Sequence, residues 1–253
     1  MGTGETTQSL PLLLTGTVSV RGTPFTFRTD PAARLNDYRV AIRRWIHHRA
    51  VERIVFCENS GFDLGKLSDL QECAAGKSKQ LELLSFDPPS YPSRRGKGYG
   101  EMQILEYALL HSQLISGSTP CVKVTGRYYV PNITRIVSAS VSQDVDVMAN
   151  LGLNLTYAHS AVFFATVSFI REYLLPLRDQ IDDSHGTFME HILARAIHRA
   201  MSDGRRWAPL PVVPDIRGVS GSTGTVCGRS LLTRSVQSCL QMGHVYFLQR
   251  WLG

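Results

Sequence analysis

The sequence predicts one α/β domain built on a mainly parallel sheet flanked by helices. Three observations point there. A chain of 253 residues, 43% hydrophobic and 19% charged, carries enough apolar material for one core. Its first half alternates strand-like apolar runs with helical periods in the order β-α-β-α-β, the pattern of a parallel sheet covered by helices. The strand-like runs end in clusters of polar residues and glycines, and in open parallel sheets ligands bind at those carboxyl ends.

Residues 12–20 (LLLTGTVSV) read as a buried strand, because short apolar runs that end in Gly and Thr fit strands better than helices. From Pro31 the spacing of Leu35, Tyr38, Ile42, Trp45 and Ile46 predicts a helix with a basic outer face. Residues 51–57 form a second strand that runs into Glu58, Asn59, Ser60 and Gly61. A helix over 64–75 and a strand over 81–86 follow. Pro88, Pro89 and Pro92 then break the chain before a basic glycine-rich loop, 94–99, and a helix over 101–116. The fourth strand, 121–125, ends in Gly126, Arg127, Tyr128 and Tyr129. Less regular signals place strands near 145–148 and 161–166, helices over 169–180 and 188–202, a Pro/Gly/Ser-rich stretch over 209–228, and an amphipathic helix over 230–252. There is no internal repeat.

Composition excludes other classes. Disordered chains carry less apolar residue and more charge, and collagen, coiled-coil and low-complexity signatures are missing. No uncharged apolar run reaches the ~18 to 20 residues of a membrane span. The start has no basic region ahead of its short apolar run, so it does not read as a secretory signal, and a cytoplasmic protein is expected. Cys57, Cys73, Cys121, Cys227 and Cys239 are odd in number and contain no CxxC pair, which reads as reduced thiols and excludes a zinc knuckle. The net charge of +6 suits a polyanionic partner such as a nucleotide diphosphate, an anionic membrane surface or RNA.

Four polar clusters carry the chemistry. The first is Thr15-Gly16-Thr17, with Arg34 and Tyr38 just beyond it. The second is Glu58-Asn59-Ser60, where a strand-end carboxylate suits a ribose or base and Asn59 or Ser60 suits a helix cap. The third is Lys97, Gly98 and Glu101, which is no P-loop because GxxxxGK[ST] spacing is absent, and which is equally a plain turn or a phosphate contact at a helix start. The fourth is Lys123-Val124-Thr125-Gly126-Arg127-Tyr128. Even spacing points Lys123, Thr125 and Arg127 to one face, and a guanidinium grips phosphate oxygens in pairs. Together these clusters describe one cleft for an anionic, polyhydroxylated ligand. The acidic pair Asp144 and Asp146 reads as a loop or strand start before it reads as a metal site, and the run 218–224 lacks G-x-S-x-G spacing and reads as a flexible loop over the cleft.

The series LLLTGTV, IVFCENSGFDL, RGKGYGE and KVTGRYYVPN, followed by GTFMEHIL and GVSGSTG, resembles a group of bacterial surface-polysaccharide glycosyltransferase-like proteins of GT-A type from Leu12 to about Gly224. The resemblance implies a single GT-A-like, Rossmann-like domain. Residues 10–130 would form its nucleotide-sugar-binding half, 131–228 its acceptor half and 229–253 a C-terminal amphipathic helix. KVTGRY stands where the family has a DXD metal motif, which removes the carboxylates that hold a divalent ion. No metal and no cofactor are therefore expected, and Lys123, Arg127 and Lys97 take over charge stabilisation, with a hydroxyl from Tyr128. Glu190 resembles the family's general base near a helix start, a position that the helix dipole favours for any carboxylate; Asp182 and Asp183 are reserves. The implied partners are a nucleotide-sugar donor and a glycan or lipid-linked glycan acceptor, with peripheral contact at the inner face of the membrane through 230–252. The rival reading is a non-catalytic binder of RNA or another polyanion that stacks bases on Tyr91, Tyr99, Tyr128 and Tyr129. Because the basic residues are confined to strand ends, no nucleic acid is expected.

Overall fold

In the computed structural model, which describes residues 9–20, 26–115, 119–221 and 223–227, the elements along the chain are β1 (Leu12–Gly16), α1 (Pro31–Ile46), β2 (Arg53–Glu58), α2 (Ser68–Ala75), β3 (Gln80–Ser85), α3 (Gly96–His111), β4 (Cys121–Thr125), β5 (Tyr128–Tyr129), α4 (Ile133–Ser142), β6 (Val147–Met148), β7 (Val162–Ala165), α5 (Val167–Phe169), α6 (Met189–Ser202), β8 (Trp207–Ala208), β9 (Arg217–Val219) and β10 (Val226–Cys227). The described strands form a seven-stranded sheet in the order β3-β2-β1-β4-β7-β6-β8 and a small sheet in the order β10-β9-β5. β1, β2, β3 and β4 are mutually parallel, and β7 runs antiparallel to both β4 and β6. The fold is thus a Rossmann-like α/β domain with a mostly parallel sheet.

Each buried strand serves two cores. Leu12 and Leu14 pack with Ile54, Phe56, Val122 and Val124 on the face covered by α1, α2 and α4. Leu13, Val55, Cys57 and Cys121 point the other way, into the core with α3 and α6. A strand covered on both faces has no side to leave polar, hence the unbroken Leu12-Leu13-Leu14 run. Burial pushes the thiols of Cys57 and Cys121 up, Cys121 to about 12, so neither is a nucleophile at neutral pH. Asp30 starts α1 by accepting the amides of Ala32 and Ala33, and Pro31 occupies the first turn, where no amide is needed.

Several expectations need correction. β1 stops at Gly16, not at residue 20, because the chain turns there to carry Thr17 toward α1. α3 starts at Gly96 rather than 101, so the glycine-rich loop is the helix's own first turns. The helix expected over 169–180 is a short α5 followed by a widened turn over Ile170–Leu174 and a tight one over Leu175–Gln180, where Pro176 supplies no amide. Residues 217–219 and 226–227 are strands rather than a free loop, and Gly218, at φ 144°, sits against the Arg127 carbonyl where no side chain fits. No described helix is long and apolar enough to cross a membrane. The amphipathic segment 230–252 and Cys239 lie outside the described residues.

His48 supplies a test of packing between α1 and the loop after β5. Its Nε2 faces the Pro131 carbonyl at 3.2 Å and its Nδ1 accepts the Ala50 amide at 3.2 Å, which only the neutral Nε2–H ring satisfies. Burial, aided by Lys79, pulls its pKa below the usual value. A base with a depressed folded pKa contributes stability that is complete above its unfolded value of ~6.5 and lost as the pH falls through the folded value. In urea titrations between pH 7 and 5, the wild-type midpoint should fall by an increment that His48→Gln lacks. Parallel pH profiles for the two proteins would refute this.

Candidate active site

The strand order places β1 between β2 and β4, so the chain leaves the sheet centre in both directions and opens a crevice at the strands' carboxyl ends. A cavity of about 660 Å³ occupies that crevice. Its lining includes Thr15, Gly16, Thr17, Arg34, Asn59, Ser60, Lys97, Gly98, Glu101, Thr125, Arg127, Tyr128 and Glu190. Three other residues expected at the ligand lie beneath the floor. Glu58 is fully buried and accepts the amides of Ser60 and Phe62 and the hydroxyl of Ser60, which fixes the turn after β2. Gly126 gives its amide to the Thr15 carbonyl at 2.8 Å, where a Cβ would come within 2.7 Å of that oxygen. Lys123 is fully buried within β4.

Lys123 is the centre of a polar strut under the cavity. Its ammonium lies 2.5 Å from Glu101 Oε1 and donates to the Ser160 carbonyl at 2.7 Å. Glu101 also accepts the Thr15 hydroxyl at 2.8 Å, and the Ser160 hydroxyl donates to Glu190 Oε1 at 2.6 Å. One chain of contacts therefore runs from the β1 turn through α3 and β4 to the first turn of α6. Lys123 does not share a ligand-facing surface with Arg127, as even spacing implied, because β4 ends at Thr125 and Arg127 belongs to the turn that follows.

The β1 turn is clamped from α1. Arg34 donates to the Thr17 carbonyl from Nε at 2.7 Å and to the Arg28 carbonyl from Nη1 at 2.9 Å. Tyr38 accepts the Thr17 amide at 2.9 Å, and the Thr17 hydroxyl donates to Asn59 at 2.6 Å. Asn59 bridges on to the Gly100 carbonyl instead of capping a helix; Asp63 starts the next helical turn. Tyr128 lines the cavity, but its hydroxyl is shared with Cys227 and Ser220, and burial pushes its pKa to about 12. It is not the open donor expected.

Arg127 is different. Its guanidinium lies over the Tyr38 ring, 5.8 Å from the centroid, and its Nε and Nη1 are buried with no hydrogen-bond partner among the described residues. Burial and then Arg127 lower the pKa of Arg34. Lys97, at the start of α3, is depressed by burial and by both arginines, against the pull of Asp183 and Glu190. Buried donors without acceptors, close to other cations, form a site for an anion.

Two carboxylates face these cations. Glu190, in the first turn of α6, keeps one oxygen on Ser160. Asp183 was only a reserve in the sequence, yet it is buried in the lining. Its Oδ2 accepts the Lys97 amide at 3.2 Å, capping α3 from outside, and its Oδ1 has no partner among the described residues. Gly96, at φ 63°, is needed because a Cβ there would overlap this carboxylate. Burial, first of all, raises the Asp183 pKa. Its neighbour Asp182 is held to about 2 by the Ser184 hydroxyl and by His185. Ser160 and the segment 87–91 also line the cavity; the sequence marks the segment only by its prolines and by Tyr91 as a stacking surface, and Ser160 not at all.

The acidic pair outside the cavity is structural. Asp144 pairs with Arg206, and Asp146 accepts the Arg206 amide at 2.9 Å and lies 3.7 Å from Arg205. Among the described residues, no three His, Cys, Asp or Glu side chains are grouped to hold a metal ion. The tyrosines of the polyanion reading are engaged: Tyr91 and Tyr99 contact each other at 4.7 Å, Arg95 and Arg178 cover Tyr99, and Tyr129 packs on Trp45.

No protein-family model and no curated protein matches this chain. Among solved structures, it is similar to HddC from Yersinia pseudotuberculosis complexed with GMP-PN, at 12% identity over 65% of this chain and 79% of that one, with a TM-score of 0.36. It is also similar to a cytidylyltransferase from Leptospira borgpetersenii serovar Hardjo-bovis, at 13% identity over 81% and 76%, TM-score 0.44. A third is 4-diphosphocytidyl-2C-methyl-D-erythritol synthase, at 9% identity over 91% and 96%, TM-score 0.40. At such identities and scores the likeness says nothing of chemistry, and function has to be read from the cavity.

Proposed function

We propose that this protein is a glycosyltransferase that moves a sugar from a nucleotide-sugar donor to a glycan acceptor of the cell surface. The observation that carries the reading is the pair of buried nitrogens on Arg127 that have no partner among the described residues. Nε and Nη1 lie on different edges of the guanidinium, and a diphosphate has oxygens enough to accept from each of them separately. Lys97, in the first turn of α3, lies beside the same position and adds its charge.

In the proposed reaction an acceptor hydroxyl oxygen forms a bond to the anomeric carbon while the bond from that carbon to the diphosphate oxygen breaks. Glu190 takes the hydroxyl proton. Arg127 and Lys97 hold the charge that appears on the departing phosphate. Asp183 accepts a sugar hydroxyl on its buried Oδ1, which has no partner among the described residues. Where the resemblance places a metal motif, Arg127 turns a cation to the cavity while Lys123 is held by Glu101 beneath it, and the proposed reaction uses no divalent ion. Residues 10–130 then supply the donor side and residues 131–228 the acceptor side, at a cytoplasmic membrane face where lipid-linked glycans are presented.

The test is thermal stabilisation by a panel of nucleotide sugars in EDTA, followed by turnover with the stabilising donor. One nucleotide class should raise Tm in EDTA. Glu190→Ala should keep that stabilisation and lower turnover by ~10²- to 10⁴-fold, the range for a general base. Stabilisation that appears only with manganese, or salt-sensitive binding of any oligonucleotide in its place, would sink the proposal.

A further inference from the structure

Beyond Glu190 the cavity rim becomes aromatic. Phe188 lines the mouth of the cavity and is 37% exposed. Its ring lies 5.8 Å from the His191 imidazole, His191 meets Tyr157 edge-on at 5.5 Å, and Tyr157 meets His159 at 5.7 Å. A continuous strip of rings therefore leads from the cavity across the first turn of α6 to the segment before β7. Glu190 sits at its inner end, and its charge raises the Tyr157 pKa after burial has done so.

The simple account of these rings is that they tack the 152–160 segment to α6. Other contacts already do that. The Ala158 amide donates to the Glu190 carbonyl at 3.0 Å, Ser160 holds the Glu190 carboxylate, and His198 Nε2 meets the Leu155 carbonyl at 2.8 Å. An exposed phenylalanine at a cavity mouth adds little to that attachment. The strip contains no Lys or Arg, so it does not extend the anion site. Rings beside a carboxylate and a serine fit a neutral polyhydroxylated molecule with an apolar C–H face.

We propose that Phe188, His191 and Tyr157 form the acceptor subsite, which stacks a pyranose ring by its C–H face and directs one hydroxyl at Glu190. The polarised C–H edge meets the negative ring faces, and the carboxylate receives the hydroxyl. This rests on the reading of Glu190 as the proton acceptor.

Saturation-transfer NMR on the full chain with methyl glycosides of glucose, galactose, mannose, N-acetylglucosamine and rhamnose tests it. At least one glycoside should be saturated at its C–H protons, bind about fivefold more weakly to Phe188→Ala and to Tyr157→Leu, and bind unchanged to Arg127→Ala. Phe188 is at the surface, so its loss leaves the core intact even if Tyr157→Leu disturbs the turn. No saturation of any glycoside, equal saturation in wild type and Phe188→Ala, or loss of the signal in Arg127→Ala would overturn the subsite. Nucleotide sugars that fail to bind while the glycoside signal follows Phe188 would instead refute the donor reading and leave the sugar subsite standing.

Discussion

In calorimetric titration with the nucleotide that stabilises the wild-type protein, Arg127→Ala is expected to lose about 2–4 kcal/mol of binding, roughly 30- to 1000-fold in Kd. The size follows from two charge-assisted hydrogen bonds from Nε and Nη1, which have no acceptor among the described residues. Arg127→Lys should fall between wild type and Arg127→Ala, because an ammonium keeps the charge but cannot place donors on two separate edges of a planar group. The free protein should become slightly more stable in the alanine variant, because Arg127 depresses Arg34 and Lys97 and its removal relieves that repulsion. Unchanged affinity in Arg127→Ala would remove the central support for a phosphate site.

Lys123→Ala is expected to cost ~3–5 kcal/mol of folding stability, the penalty for leaving one member of a buried ion pair without the other. Lys123 is wholly enclosed, and its loss strands the Glu101 carboxylate and the Ser160 carbonyl together. The pair Lys123→Met with Glu101→Leu should recover much of that loss, since apolar replacement of both partners removes the uncompensated charge. Urea unfolding of Lys123→Met, Glu101→Leu and the double variant closes the cycle, with Lys123→Ala measured beside it. A single variant as stable as wild type would show that the strut carries no weight.

The central sheet was legible because its residues obey one constraint at a time. Buried strands such as 12–14 and 54–57 need apolar residues on both faces, and the spacing from Leu35 to Ile46 after Pro31 announces α1. The cleft was legible for a related reason: strands that share a direction bring their terminal clusters to one edge, so Thr15, Asn59, Thr125 and Arg127 meet whatever their sequence separation. What each polar residue does was not legible. Lys123 and Arg127 look equivalent in KVTGRY, yet one is inside a strand and the other beyond its end, and four residues of difference turn a ligand contact into a floor beam. Glu58 spends its oxygens on neighbouring amides, which its place in CENSGF does not reveal. Asp183 needed Gly96 and the start of α3 beside it before its role emerged, a contact that links residues far apart in the chain. The short strands β5, β8, β9 and β10 hold too few residues for any period.

The reversal of β7 has a consequence of its own. In a run of like-directed strands only the segments that follow them reach the working rim, and the segments that precede them are spent on the far side. Because Val162 stands opposite Val124 and Ala165 opposite Cys121, the stretch ahead of β7 arrives at that rim instead, delivering Ser160 to Glu190. Had the strand kept its neighbours' heading, four residues at ~3.3 Å each would have carried that serine about 13 Å away. The flip lets a later part of the chain contribute to the rim through its own loops, which can lengthen or change sequence without disturbing the turns that close on the opposite wall.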